Sequence, residues 1–306
     1  MSVSNTFKLH AIVTPDAQIN QVTARRIDPG IQRMLVGGNG VLTAQMIVRM
    51  SQRPLMSITT TAVKRVLDMI SMKGKAYTAA ACNMYFGKKD AGGALVAGAN
   101  HLQLDFNRSL WIPRTLRASQ DGPAEIDVDI YAISANGTAS PLTVTNSVSL
   151  PSLTAADQLF TLGPAKFNGG SLIGTLRELS LNFGISERLI SGSGEEWPTF
   201  GSIDKYQPSV RLSCYDLTQL ASPLTVGGLA VSSATKAFLR AKSQEGGNVA
   251  DATTSHLSWT MTTLGTIDPG MIDESDDGES MLNIDWTAGD DGTNDPLIYG
   301  SAVAIS

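Results

Sequence analysis

The 306-residue sequence repeats itself at a shift of about 154 residues, and this repeat constrains the fold more than any other feature. Gly30-Ile31-Gln32-Arg33-Met34-Leu35-Val36-Gly37-Gly38-Asn39-Gly40 lies over Gly184-Ile185-Ser186-Glu187-Arg188-Leu189-Ile190-Ser191-Gly192-Ser193-Gly194. Pro54 falls on Pro208, Gly92-Gly93 on Gly246-Gly247, His101-Leu102 on His256-Leu257 and Pro113 on Pro269. Asp121-Gly122 falls on Asp277-Gly278, Gly137-Thr138 on Gly292-Thr293 and Pro141-Leu142 on Pro296-Leu297. Chance explains one such patch, but not a whole series in order with the shift drifting by only two residues. The chain therefore reads as two copies of one domain, residues 1–150 and 151–306, joined by a short connector at Pro151–Asp157.

Periodicity indicates what each copy contains. After each proline the apolar residues alternate, Met56 and Ile58 in one copy and Val210 and Leu212 in the other. A period of two marks a half-buried strand, and proline is tolerated at its start. Next comes helical spacing: Val63, Val66, Leu67 and Ile70, then Leu217, Leu220, Ala221 and Leu224. Thr61 or Asp216 is positioned to cap that helix, and Pro223 should end or distort the second one. After each Asp-Gly turn the alternation returns, with Ile126, Val128 and Ile130 against Leu282, Ile284 and Trp286. The expected fold is mainly β (α+β): tandem duplicated β-sandwich or barrel domains, each with one short helix.

Chemistry is sparse. The net charge of −5 argues against a surface built to grip phosphates. Cys82 and Cys214 occupy non-equivalent repeat positions without metal-ligand or redox spacing, and read as reduced core residues. Gly37–Gly40 resembles a phosphate loop only weakly and reads as a tight turn, and Gly192–Gly194 is too short for a nucleophile elbow. His101 and His256 are repeat equivalents at a strand start, which favours an architectural role over a catalytic one. The acidic run of Asp268, Asp273, Glu274, Asp276, Asp277, Glu279, Asp290, Asp291 and Asp295 lacks the ligand order of a calcium loop and reads as a solvated face. No catalytic constellation assembles, so neither an enzyme nor a cofactor nor a metal is expected. With no signal peptide or long apolar run, synthesis and assembly are expected in a cytoplasm.

Two kinds of surface stand out. Asp127, Asp129 and Asp285 alternate with core residues, and would repel DNA phosphates if their strands lined a channel. The segments after the Gly-rich turns, Val41–Met50 and Glu195–Gly201, read as a long loop or hairpin of unlike sequence in the two copies, with apolar side chains that either meet different neighbours or fold back onto their own cores. Met46, Ile47, Val48, Trp197 and Phe200 are thus candidates for contacts with other subunits or rings. Trp197 with Glu195 and Glu196 is the sole candidate for a carbohydrate site, an alternative reading in which the chain is a carbohydrate-binding β module.

Pro208-Ser209-Val210-Arg211-Leu212 running into Asp216–Leu220 resembles the tail tube proteins of long-tailed bacteriophages, as does its copy-one match Pro54–Ile58 running into Val63–Ile70. The Gly-flanked strand Leu179–Leu189 and the acidic, Gly-rich end fit the same pattern. The resemblance lies in organisation and spans most of both copies. It implies homotrimeric, pseudo-hexameric rings stacked into a tube within the virion, through which a tape-measure protein and then DNA pass. It also implies tail terminator and baseplate proteins as partners, and no sequence-specific nucleic-acid or membrane binding. Another ring-forming virion component (a terminator, a baseplate hub or a capsid decoration) would use the same duplication.

Overall fold

The computed structural model describes residues 6–36, 46–70, 76–167, 170–215, 229–230, 235–243, 245–261, 265–274, 280–289 and 295–306. The protein is mainly β. The first half carries β1 (Thr6–Val13), β2 (Gln18–Ile19), β3 (Val22–Asp28), β4 (Ile31–Val36), β5 (Met46–Gln52) and β6 (Leu55–Thr60). Helix α1 (Val63–Ile70) follows, then β7 (Tyr77–Ala79), β8 (Cys82–Lys89), β9 (His101–Phe106), β10 (Ser109–Ser119), β11 (Glu125–Ala132) and β12 (Leu142–Val148). The second half carries β13 (Phe160–Lys166), β14 (Leu172–Ile173), β15 (Leu176–Asn182), β16 (Ile185–Ile190), β17 (Phe200–Tyr206) and β18 (Ser209–Cys214). It ends with β19 (Leu229–Ala230), β20 (Lys236–Ala241), β21 (His256–Met261), β22 (Gly265–Glu274), β23 (Ser280–Ala288) and β24 (Leu297–Val303).

The strand order of the first half recurs in the second. A five-stranded sheet β12-β9-β8-β1-β2 is matched by β24-β21-β20-β13-β14, and the hairpin β4-β5 by β16-β17. The remaining strands form one ten-stranded antiparallel sheet in the order β19-β22-β23-β18-β15-β10-β11-β6-β3, with β7 pairing β10. That sheet runs from one half into the other through β10 and β15, where Thr115–Ser119 pair with Glu178–Asn182. Buried residues of both halves belong to a single core cluster.

The alternations that suggested strands bury the expected residues. Met56 and Ile58 of β6, Val210 and Leu212 of β18, Ile126, Val128 and Ile130 of β11, and Leu282, Ile284 and Trp286 of β23 are all buried. Val63, Val66, Leu67 and Ile70 are the buried stripe of α1. Thr61 does not cap the helix as expected: its hydroxyl points to Gln21 Oε1, while Thr60 Oγ1 accepts the N–H of Ala62, the residue before α1, at 3.1 Å. The expected second helix, its Asp216 cap and Pro223 lie outside the described residues, as do the Gly37–Gly40 turn and Asp277-Gly278. Cys82 and Cys214 are buried and free, as expected.

Two expectations need correcting. Leu179–Leu189 is not one strand but parts of β15 and β16, separated by a corner at Gly184 with φ +58°. The matched glycines also slip by one: the left-handed corners are Gly93 and Gly246, each donating to the residue three back, Asp90 and Ser243. The loop between β8 and β9 is thus one residue out of step with its counterpart.

Candidate functional site

The structure concentrates its polar machinery at the seam between the halves. The apolar side of that seam is a cross-strand ladder: Leu116 faces Leu181 and Ala118 faces Leu179, all four buried. The polar side is organised by Arg114, which a bulge between Pro113 and Thr115 leaves outside the regular register. Its Nε donates to Asp129 at 2.7 Å, and its two terminal nitrogens donate to Glu187 at 2.8 and 2.6 Å. It also donates to the Ile185 carbonyl at 2.9 Å, and the Tyr131 hydroxyl donates to Glu187 at 2.5 Å. A planar guanidinium with fixed donors suits this clamp between two carboxylates on different strands. Burial works to raise the Glu187 pKa, but the hydrogen bonds from Arg114 and Tyr131 prevail and hold it below the ordinary value. Burial, and the hydrogen bond to Glu187 after it, push the Tyr131 phenol up.

The β16–β17 hairpin forms the second part of the seam. The amides of Glu196 and Trp197 both donate to the Gly137 carbonyl, at 3.0 and 3.1 Å. Pro198 O accepts from Ser134 N–H and Glu196 O from Gln52 N–H, each at 2.8 Å. Gly201 lies so close to the first half that an added Cβ would sit 2.7 Å from Leu110 Cδ2. The segment Glu195–Gly201 is therefore not a free apolar loop. Pro198 is buried, Trp197 is half-buried, and of the apolar candidates in this segment Phe200 alone stands out at 58% exposed. Nor does the Glu195 carboxylate face a ligand beside Trp197, since it accepts from the Gly192 amide and the Thr199 hydroxyl. Met46, Ile47 and Val48 likewise belong to β5, paired with β4, rather than to a loop; their side chains lie outside the described part.

Asp127, Asp129 and Asp285 share the polar face of the ten-stranded sheet. That face is ion-paired rather than an uncompensated anionic strip. Asp127 takes the Thr59 hydroxyl at 2.6 Å and Arg117 at 3.3 Å; Asp129 takes Ser57 and Arg114. Asp285 takes Arg211 at 2.7 and 3.1 Å. Sequence reasoning found these carboxylates but missed their arginine partners: Arg114 and Arg117 stand on the neighbouring strand β10, and Arg211 lies 74 residues from Asp285. The histidines are structural. Nδ1 of His101 accepts from Lys88 N–H and Nδ1 of His256 from Ala241 N–H, each at 3.0 Å, and both rings are buried.

A cleft of 830 Å³ opens along the same seam, lined by Gln120, Asp121, Pro123, Asp157 and Lys242. Its carboxylates are committed, Asp121 to Arg177 at 3.3 Å and Asp157 to Arg65 at 2.5 Å. Among the described residues no cluster of three or more His, Cys, Asp or Glu is placed to hold a metal ion, and no helix is long and apolar enough to cross a membrane.

Among the described strands the ten-stranded sheet has two open edges. One is β3, which pairs with β6 only. The other is the end of β22: β19 covers Thr266 and Ile267, while Ile272–Glu274 pair with β23 alone. These edges correspond by repeat position to β15 and β10, the two strands that meet inside the chain. No protein-family model and no curated protein matches the sequence.

Proposed function

We propose that the chain is a ring-forming structural protein of a bacteriophage tail tube. Three copies close into a ring of six quasi-equivalent units, and rings stack into a channel for the tape-measure protein and then DNA. The observation that carries this reading is the pair of open edges. A surface that fits its own opposite end is heterologous, and heterologous joints either close into rings or run on as filaments. Closing also removes exposed edges, which a soluble β protein otherwise leaves open to aggregation. The polar face of the ten-stranded sheet would line the channel, with its carboxylates neutralised by arginines on adjacent strands and so free of a strong field of either sign. Phe200, exposed at the start of β17, would supply an apolar contact to the next ring.

The test is negative-stain microscopy of the purified protein, over a range of concentrations. Stacked rings with a central hole are expected. Discrete rings that never stack would move the assignment to another ring-forming virion component. Monomers at all concentrations would overturn ring formation itself.

A further inference from the structure

The repeat allows the residues at the internal joint to be compared, position by position, with those on the open edges. By the strand registers, Leu116 corresponds to Ile272, Arg117 to Asp273 and Ala118 to Glu274, since Ile126 and Leu282 are the matched partners on β11 and β23. On the other side Leu181 corresponds to Ile27, Ser180 to Arg26 and Leu179 to Arg25, at a constant shift of 154. Copying the internal register onto the open edges therefore sets Ile272 opposite Ile27, Asp273 opposite Arg26 and Glu274 opposite Arg25.

Two of the pairs that changed character became an acid opposite a base, while Thr115–Asn182 became Met271 opposite Asp28. The buried Ala118–Leu179 pair of the internal joint is replaced by Glu274 and Arg25, and Arg117–Ser180 by Asp273 and Arg26. The Arg114 clamp changes as well. Gly270 stands at the position of Arg114, Arg33 at that of Glu187, and Asp285 at that of Asp129. The acid–base–acid set of the internal joint is thus a base, a glycine and an acid at the open ends, and that acid, Asp285, is held by Arg211 within the chain. Arg25 and Arg26 are exposed in the free chain, and Asp285 is partly so. One open edge carries Arg25 and Arg26, with Asp28 beside them, and the other carries Asp273 and Glu274.

We infer that β3 of one chain pairs antiparallel with Met271–Glu274 of the next, and that Arg25–Glu274 and Arg26–Asp273 ion pairs on opposite faces of the sheet select this register and partner. This rests on the ring reading and adds to it the partner's residues and their chemistry. A one-residue slip would turn each charge to the wrong face, and two like ends would repel. The acidic end of the chain becomes the receptor for a basic edge. Cross-strand pairs of opposite charge are the strand counterpart of helical ion pairs, and at a strand edge they are salt-sensitive.

The experiment measures assembly by sedimentation velocity and negative stain from about 0.05 to about 1 M NaCl. It compares the wild type, the double variant R25E/R26D, the double variant D273R/E274R, and the combination of all four. Expected are a wild-type assembly that weakens at least tenfold in high salt, loss of assembly in each double variant, and its recovery in the combination. Far-UV circular dichroism checks that each variant is folded. Should a double variant fail to fold, the wild-type salt dependence still decides. Wild-type assembly that ignores salt, double variants that assemble normally, or folded variants that the combination does not rescue would each overturn the ionic joint while leaving the ring in place. A wild type that forms no ring at any salt would remove the ring reading and this joint with it.

Discussion

Gly30 and Gly184, 154 residues apart, make the same corner. Their φ angles are +60° and +58°, and their carbonyls accept the Arg53 and Gln207 amides at 3.1 Å each. The amide of each glycine in turn donates to the side chain two residues back, Asp28 at 2.8 Å and Asn182 at 2.9 Å. The corner turns the chain out of the ten-stranded sheet and into the hairpin that follows. A Cβ would lie 2.0 Å from Arg53 O in one half and 1.9 Å from Gln207 O in the other, both rigid backbone atoms.

Gly30→Ala and Gly184→Ala should therefore each destabilise the protein by about 1–3 kcal/mol or more, from left-handed backbone strain with a steric clash added. Gly174→Ala is the control, because nothing lies within 4 Å of its added Cβ. Urea unfolding of the three variants checks this; two corner variants indistinguishable from the control would refute it.

Close approach also governs the seam. Gly201→Val should force Leu110, Leu189 or the hairpin itself to move, since a Cβ there already falls 2.7 Å from Leu110 and 3.3 Å from Leu189. Overpacking of this kind costs about 1–3 kcal/mol. The loss should be local, raising the rate at which a protease cuts near Glu195–Trp197 before the core unfolds. Unchanged proteolysis with unchanged stability would mean that the hairpin does not depend on this contact.

Phe200→Ser should leave folding alone and affect only association between rings. The side chain is more than half exposed, so its removal takes little from the core. Circular dichroism and the melting temperature should match the wild type, while tubes in micrographs become shorter or vanish. Tubes of wild-type length would take Phe200 out of the stacking contact.

What the sequence made legible was whatever local burial writes into it. Strands β6, β11, β18 and β23 alternate because one face is core and the other polar, and α1 shows its stripe for the same reason. The seam was not legible, because its partners lie far apart in the chain: Arg114 and Glu187 are separated by 73 residues. One signal was available. Arg33 and Glu187 share a repeat column and carry opposite charge, a difference that core packing does not require. Loop and hairpin could not be told apart here because Pro198 stands just before β17, Gly201 interrupts its period-two pattern, and the ten residues Val41–Met50 run apolar without alternation.

Glu187 makes the seam sensitive to acid. Burial opposes its charge, yet hydrogen bonds from Arg114 and Tyr131 lower its pKa below the unfolded value of about 4.3. A carboxyl depressed on folding contributes stability that is complete above the unfolded pKa and lost as pH falls through the folded one. Glu187→Gln should therefore melt lower than the wild type at pH 7, and the gap should narrow in acid below about pH 4. Arg114→Met should be worse at neutral pH, because it leaves Asp129 and Glu187 charged, adjacent and without their shared cation. Breaking a buried pair costs about 3–5 kcal/mol; with side chains here 14–28% exposed, solvent screening reduces this to about 2–3 kcal/mol. Unlike the wild type, Arg114→Met should gain relative stability as Glu187 protonates. Thermal melts of the three proteins at neutral and acid pH measure both trends. Parallel pH profiles for all three would show that the clamp does not hold the halves together.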